Sequence, residues 1–161
     1  MKKILITLSM VAGFGFASSS FAQSCAAPLP IGSAGSANAV KTGDTCTATN
    51  QLSSFGLVPS PQNDIIYSFV AQSANATIAL SANAAAWGGT VYLMPSPCAD
   101  ATDIINGGNS AAPMAVTGLT NGATYYVIMS GDPGGAANAC GPFTLTVTGT
   151  LPVSLQGFSV E

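Results

Sequence analysis

Leu119–Gly149 reads LTNGATYYVIMSGDPGGAANACGPFTLTVTG. Two runs in it have the period of a β-strand. Tyr125–Ser130 is apolar on both faces, as expected of a central strand buried on two sides. Phe143, Leu145 and Val147 alternate with Thr144, Thr146 and Thr148, which predicts a half-buried strand with a threonine face toward water. Asp132–Asn138 (DPGGAAN) between them is rich in turn formers and reads as a loop. The spacing Leu119-x-x-Gly122-x-x-Tyr125 is that of a tyrosine corner, where the phenol bonds back across the preceding turn. The stretch reads as two antiparallel strands that close a β-sandwich.

Working upstream, the same period recurs at short intervals. Asp64–Gln72 (DIIYSFVAQ) puts Ile65, Tyr67 and Phe69 on one face and Ile66, Ser68 and Val70 on the other. Ala76–Ala82 (ATIALSA) follows, and Ser73–Asn75 reads as a hairpin loop between the two. Thr90–Met94 (TVYLM) is the next strand, ended by Pro95 and Pro97. Cys98–Ser110 reads as a loop and Met114–Val116 as a short strand. Gln51–Leu57 reads as an edge strand stopped by Pro59 and Pro61. Gln23–Thr49 is polar and small, with a turn at Gly43-Asp44, and reads as an extended segment pinned to the domain. No helical period occurs. The expected fold is therefore all-β: a single antiparallel β-sandwich of jelly-roll or Ig-like form.

Lys2 and Lys3, the apolar run Ile4–Phe16 and the small residues Ala17–Ala22 have the layout of a secretory signal peptide. The apolar run is shorter than the roughly 20 residues of a spanning helix, and no later run is long enough. The expected division is 1–22 signal peptide, 23–150 sandwich and 151–161 tail, in an exported chain placed outside the cell or at its surface. Without 1–22, Lys41 is the only basic side chain, facing Asp44, Asp64, Asp100, Asp103, Asp132 and Glu161. Nucleic-acid binding is excluded, because it rests on Lys and Arg facing phosphate.

The chain has 4 cysteines and no histidine. In an exported chain Cys25, Cys46, Cys98 and Cys140 read as two disulfides, and three pairings are open. A Cys25–Cys46 bridge is preferred, because it would close a short loop and hold the N-terminal segment. Zinc is disfavoured, since the spacings lack close Cys or Cys/His pairs.

The order Asp64-Ile-Ile-Tyr67-Ser-Phe69, Val91-Tyr-Leu93, Leu119-x-x-Gly-x-x-Tyr125-Tyr126-Val-Ile and Gly141-Pro-Phe143-Thr-Leu145-Thr-Val147 resembles the bacterial pre-peptidase C-terminal domain. Asp64, Tyr67 and Phe69 match that family's D-x-Y-x-F block with one extra residue. The resemblance covers about Val40 to Gly149. It implies a sandwich of the kind attached to secreted hydrolases and similar to collagen- and polysaccharide-binding modules. It also places Cys140 opposite the loop that holds Cys98, which favours a Cys98–Cys140 bridge. Some members bind calcium through an acidic N-terminal segment; here only Asp44 is acidic before Asp64. Leu151–Glu161 (LPVSLQGFSVE) resembles LPV-x-L-x-x-F linkers that lead into C-terminal sorting regions.

Catalytic chemistry is poorly provided for. Without His, a Ser or Cys nucleophile lacks its usual base, so the chain is read as a non-enzyme. Calcium (Ca2+) is the one cofactor considered, on Asp100, Asp103 and Asp132, whose carboxylates are hard oxygen ligands on loops; Asp also caps turns. Trp87, beside Gly88-Gly89, and Tyr92 are the candidate ligand-binding aromatics, suited to stacking on a sugar ring. The expected function is a secreted, non-catalytic binding or accessory module. Its partner would be an extracellular polysaccharide or protein, met through its loops. The alternative is a subunit that self-assembles into a filament or surface layer, with Leu151, Val153 and Leu155 adding a strand to a neighbour's sheet.

Overall fold

The computed structural model describes residues 24–31, 38–98, 104–109 and 112–149. The expected signal peptide, the tail, Asp100 and Asp103 lie outside the described residues.

Two sheets face each other. The first has five strands in the order β1 (Leu29–Pro30), β5 (Ile65–Val70), β10 (Thr124–Ser130), β7 (Thr90–Pro95) and β8 (Asn106–Asn109). The second has four, in the order β2 (Asn38–Asp44), β11 (Pro142–Thr148), β6 (Asn75–Leu80) and β9 (Met114–Thr117). A small hairpin, β3 (Ser54–Phe55) and β4 (Val58–Pro59), stands apart. All pairings are antiparallel except the short one between β1 and β5. The chain is an all-β sandwich with two disulfides.

Alternation puts the core between the sheets. Tyr67, Phe69, Val91, Leu93, Val127 and Met129 of the first sheet meet Ile78, Val116, Phe143, Leu145 and Val147 of the second. Each such side chain contributes about 1.5–3 kcal/mol on burial. A second cluster covers the outer face of the five-stranded sheet: Leu52, Phe55, Ile66, Tyr92, Met94, Cys98 and Ile128. The central strands β5, β10 and β7 are thus covered on both faces, which is why they carry apolar residues on both. Tyr125 is the expected corner: its phenol oxygen accepts the Thr120 N–H at 2.9 Å.

Five local expectations change. Gln51–Leu57 is not one edge strand stopped by Pro59: only Ser54–Phe55 is strand, and Pro59 belongs to the strand that pairs with it in a hairpin. The strands of Leu119–Gly149 do not pair with each other; β10 lies at the centre of one sheet and β11 in the other. The doubly apolar strand needs cover on both faces, whereas the threonine-faced strand needs it on one. Likewise Ser73–Asn75 is no hairpin loop, since β5 and β6 belong to different sheets. Part of the expected loop Cys98–Ser110 is strand β8, paired with Thr90–Leu93. Gly43-Asp44 is the end of β2 rather than a turn. A Cβ on Gly43 would lie 2.7 Å from Cζ of Phe143, so glycine there lets the Phe143 ring cross β2.

The disulfides are Cys25–Cys98 and Cys46–Cys140, not the expected Cys25–Cys46 and Cys98–Cys140. Strand register decides this. Asp44 pairs with Pro142 in the β2–β11 ladder, so two residues further on Cys46 faces Cys140, with Cα atoms 4.9 Å apart. Cys25 instead packs with the outer cluster beside Cys98.

Candidate interaction site at one end of the sandwich

The hairpin, the β10–β11 loop and the 3-10 turn Ala82–Trp87 gather at one end of the molecule. Phe55 pairs with Val58 across the two-residue turn Gly56–Leu57. Gly56 has φ +62° and Leu57 has negative φ, the pattern of a type II′ turn with glycine first. The turn holds Leu57 at 99% exposure, beside Val58 at 45%. One exposed leucine on a surface is ordinary. This one is distinguished by the rigidity of its support.

That support is built from buried groups. Phe55 is 5% exposed, and its ring stacks on Tyr92 with centroids 4.0 Å apart and planes at 15°. Ser60 N–H donates to Ser53 O at 2.9 Å across the hairpin base. Asn50 Nδ2 donates to Ser60 O at 2.6 Å. Asp64 Oδ2 accepts the N–H groups of Gln51 and Leu52, both at 2.9 Å.

Gln62 joins the hairpin to the next loop. Its Oε1 accepts the Ser60 hydroxyl at 3.0 Å, and its Nε2 donates to the carbonyls of Asp132 at 3.0 Å and Ala136 at 3.3 Å. Gly134 N–H adds a bond to Pro59 O at 3.2 Å. The Asp132–Asn138 loop is therefore fixed against the hairpin. Its other root is held by Cys46–Cys140 and by Thr45, whose buried hydroxyl accepts the Gly141 N–H at 3.0 Å. The result is a stiff, nearly uncharged platform with an apolar tip.

The sequence-derived candidates fall as follows. Trp87 Nε1 donates to Pro142 O at 3.1 Å, and the indole lies against Gly89 and Gly141, where a Cβ would press on it. These two glycines thus leave room for the ring in the fold. Tyr92 is 7% exposed, with its ring on Phe55. Asp132 is exposed on its loop, while Asp100 and Asp103 lie outside the described residues. Among the described residues no group of three His, Cys, Asp or Glu side chains is placed to hold a metal. Burial pushes the Asp64 carboxyl above the ordinary carboxylate range; the nearby Ser130 hydroxyl and the Leu52 and Gln51 N–H groups offset part of this. Burial likewise raises the Tyr92 phenol, with a smaller upward contribution from the carboxylates of Asp132 and Asp64.

Sequence reading missed Leu57 and Gln62. Gly56 was the available signal, since a glycine between two strand-forming pairs marks a tight hairpin. Gln62 has no such signal, because its partners Asp132 and Ala136 are remote in the chain.

No family model matches the chain, and no curated protein matches it. Among solved structures it is similar to the Aeromonas hydrophila PliG, a periplasmic lysozyme inhibitor of g-type lysozyme. That likeness has a TM-score of 0.54 at 14% identity and covers 74% of this chain and 93% of that one. The Salmonella Typhimurium PliG, with the same described role, matches at a TM-score of 0.44 and 13% identity, over 74% of this chain and 95% of that one. The first likeness is one of fold. Among the described residues no helix is long and apolar enough to cross a membrane.

Proposed function

We propose that the chain is an exported, non-catalytic module that binds a protein partner through the hairpin end of the sandwich. The observation that carries this is Leu57, 99% exposed on a tight turn whose base is braced by Phe55 on Tyr92 and by Gln62. A rigid apolar tip loses little conformational freedom on docking, so its burial is not offset by ordering costs. A narrow projection fits a concave partner better than a flat one. The fold likeness to a periplasmic lysozyme inhibitor makes a cell-wall-cleaving glycosidase the partner to try first. The tip would enter its cleft and exclude substrate. The block order resembling the pre-peptidase C-terminal domain, a sandwich attached to secreted hydrolases and similar to binding modules, fits a non-catalytic binding role.

The test is titration of the purified chain against g-type lysozyme and other secreted cell-wall hydrolases, reading both complex formation and residual activity. Saturable binding that Leu57→Asp abolishes is the expected result. Equal binding by Leu57→Asp, or retention on insoluble polysaccharide or collagen with no affinity for any hydrolase, would overturn the proposal.

A further inference from the structure

Three buried side-chain atoms make no hydrogen bond: Asp64 Oδ1, Ser130 Oγ and Tyr92 OH. Strand register brings them together. Ile65 pairs with Met129, so Asp64 flanks Ser130. Ser130 in turn pairs with Thr90 on β7, and Tyr92, two residues on, points from the same face of the sheet. The Tyr92 hydroxyl is near Thr90 and within electrostatic reach of Asp132 and, more weakly, of Asp64. The Thr90 hydroxyl donates to Gly88 O at 3.3 Å, and Tyr92 OH is without a hydrogen-bond partner. Leu52 and Phe55 pack on the same outer face of the sheet, and Asp64 and Ser130 are 0% exposed.

The Ser130 hydroxyl is close enough to the Asp64 carboxyl to favour its charged form, yet neither Ser130 Oγ nor Asp64 Oδ1 makes a hydrogen bond. Nor is there an ion-pair partner, since Lys41, the only cationic side chain among the described residues, is on β2 of the other sheet. A buried carboxylate oxygen and two buried hydroxyls thus lie unbonded at adjacent register positions, on the face that the Leu52, Phe55, Ile66 and Ile128 cluster covers. Buried polar groups hold ordered water when two to four of them converge on it.

We infer that Asp64 Oδ1, Ser130 Oγ and Tyr92 OH form a binding site for one buried water molecule that ties β5, β10 and β7 together beneath the hairpin arm. The water donates to Asp64 Oδ1 and to one hydroxyl, and accepts from the other. All three groups are then satisfied. Three side-chain oxygens fall short of the six to eight that calcium takes. A neutral Asp64 that donates to Ser130 is the remaining way to satisfy the carboxyl. The inference is independent of the proposed partner, because it concerns the support of the hairpin and not its tip.

Oxygen-17 relaxation dispersion counts long-lived internal waters, and water–protein Overhauser contacts locate them. The wild-type chain is expected to hold one more such water than the Ser130→Ala/Tyr92→Phe double variant, with contacts to Ser130 and Tyr92 protons. Equal counts in a folded double variant would overturn the inference. Should that variant not fold, infrared spectra of the wild type and Asp64→Asn decide. No carboxylic-acid band at neutral pH that depends on Asp64, together with water contacts at Ser130 and Tyr92, supports the site. A band lost in Asp64→Asn, or a metal ion in place of the water in a high-resolution crystal structure, would overturn it.

Discussion

Gln62 Nε2 donates to the carbonyl oxygen of Asp132 at 3.0 Å, across 70 residues of sequence. This bond and its companion to Ala136 hold the β10–β11 loop against the hairpin base. Gln62→Leu keeps the volume but removes both bonds to the loop, whose Asp132 and Ala136 carbonyls keep the Gly135 and Ala139 N–H groups, and leaves the buried Ser60 hydroxyl without a partner. A cost of about 1–3 kcal/mol follows from stranding such a group. Gly131→Ala should act on the same contact, since its Cβ would lie 2.5 Å from Gln62 Cγ. Denaturant unfolding should show the loss in both variants. Limited proteolysis should place new cleavage within Asp132–Asn138.

Leu57 and Phe55 are two residues apart and are expected to behave oppositely. Leu57 is 99% exposed and Phe55 5%. Leu57→Asp should change stability by less than about 0.5 kcal/mol, as surface substitutions usually do, while removing partner binding. Phe55→Ala deletes a buried ring stacked on Tyr92 and should cost about 3 kcal/mol or more. Equilibrium unfolding and a binding titration on both variants separate the tip from its support. A Leu57→Asp chain with wild-type binding would place the interface elsewhere.

How much of this was legible in the sequence depends on what kind of information each feature needs. β5, β7, β10 and β11 announce themselves, because alternation or double-faced apolarity is a local property of Ile65–Val70, Thr90–Pro95, Thr124–Ser130 and Pro142–Thr148. The corner at Tyr125 is local as well. β8 (Asn106–Asn109) is silent, since Gly107 and Gly108 have no side chain to alternate. They are glycines because a Cβ at either would press on Tyr92 or Met114, at 3.2 and 3.3 Å. Which sheet each strand joins, and hence which cysteines meet, follows from long-range register, which no window of the chain contains. For the site the limit is sharper: Leu57 is as apolar as a core residue, and only the turn at Gly56 turns it outward.

The disulfides make a testable pair. Non-reducing peptide mapping should recover Cys25 linked to Cys98 and Cys46 linked to Cys140. The Cys46–Cys140 bridge spans 94 residues. In the chain-entropy description a loop of that size is worth about 4–5 kcal/mol, although strain and residual structure lower what is measured. Cys46→Ala/Cys140→Ala should therefore lower the unfolding free energy by several kcal/mol. It also frees one root of the loop that meets the hairpin, so partner binding should weaken along with stability. Cys25→Ala/Cys98→Ala should lower stability and leave that loop root intact.

The pH response follows from two buried acids. The folded-state value of Asp64 is raised above its ordinary 3.8, chiefly by burial. The folded chain thus holds that proton more tightly than the unfolded chain. Its contribution to stability is fully present below the unfolded value and is lost as pH rises through the folded one. Asp64 therefore favours folding at acid pH, opposite to a salt-bridged aspartate, and Asp64→Asn should flatten this part of the curve. Tyr67 behaves alike at the other end, with burial pushing its phenol from 10.0 to about 12. Between those values the unfolded chain ionises Tyr67 and the folded chain does not, so stability falls as pH climbs from 10 toward 12. Denaturant midpoints measured across both ranges check the signs, and Tyr67→Phe should remove its share of the alkaline loss. An alkaline curve unchanged in Tyr67→Phe would assign that loss to other tyrosines, Tyr92 first among them because its phenol is also raised by burial.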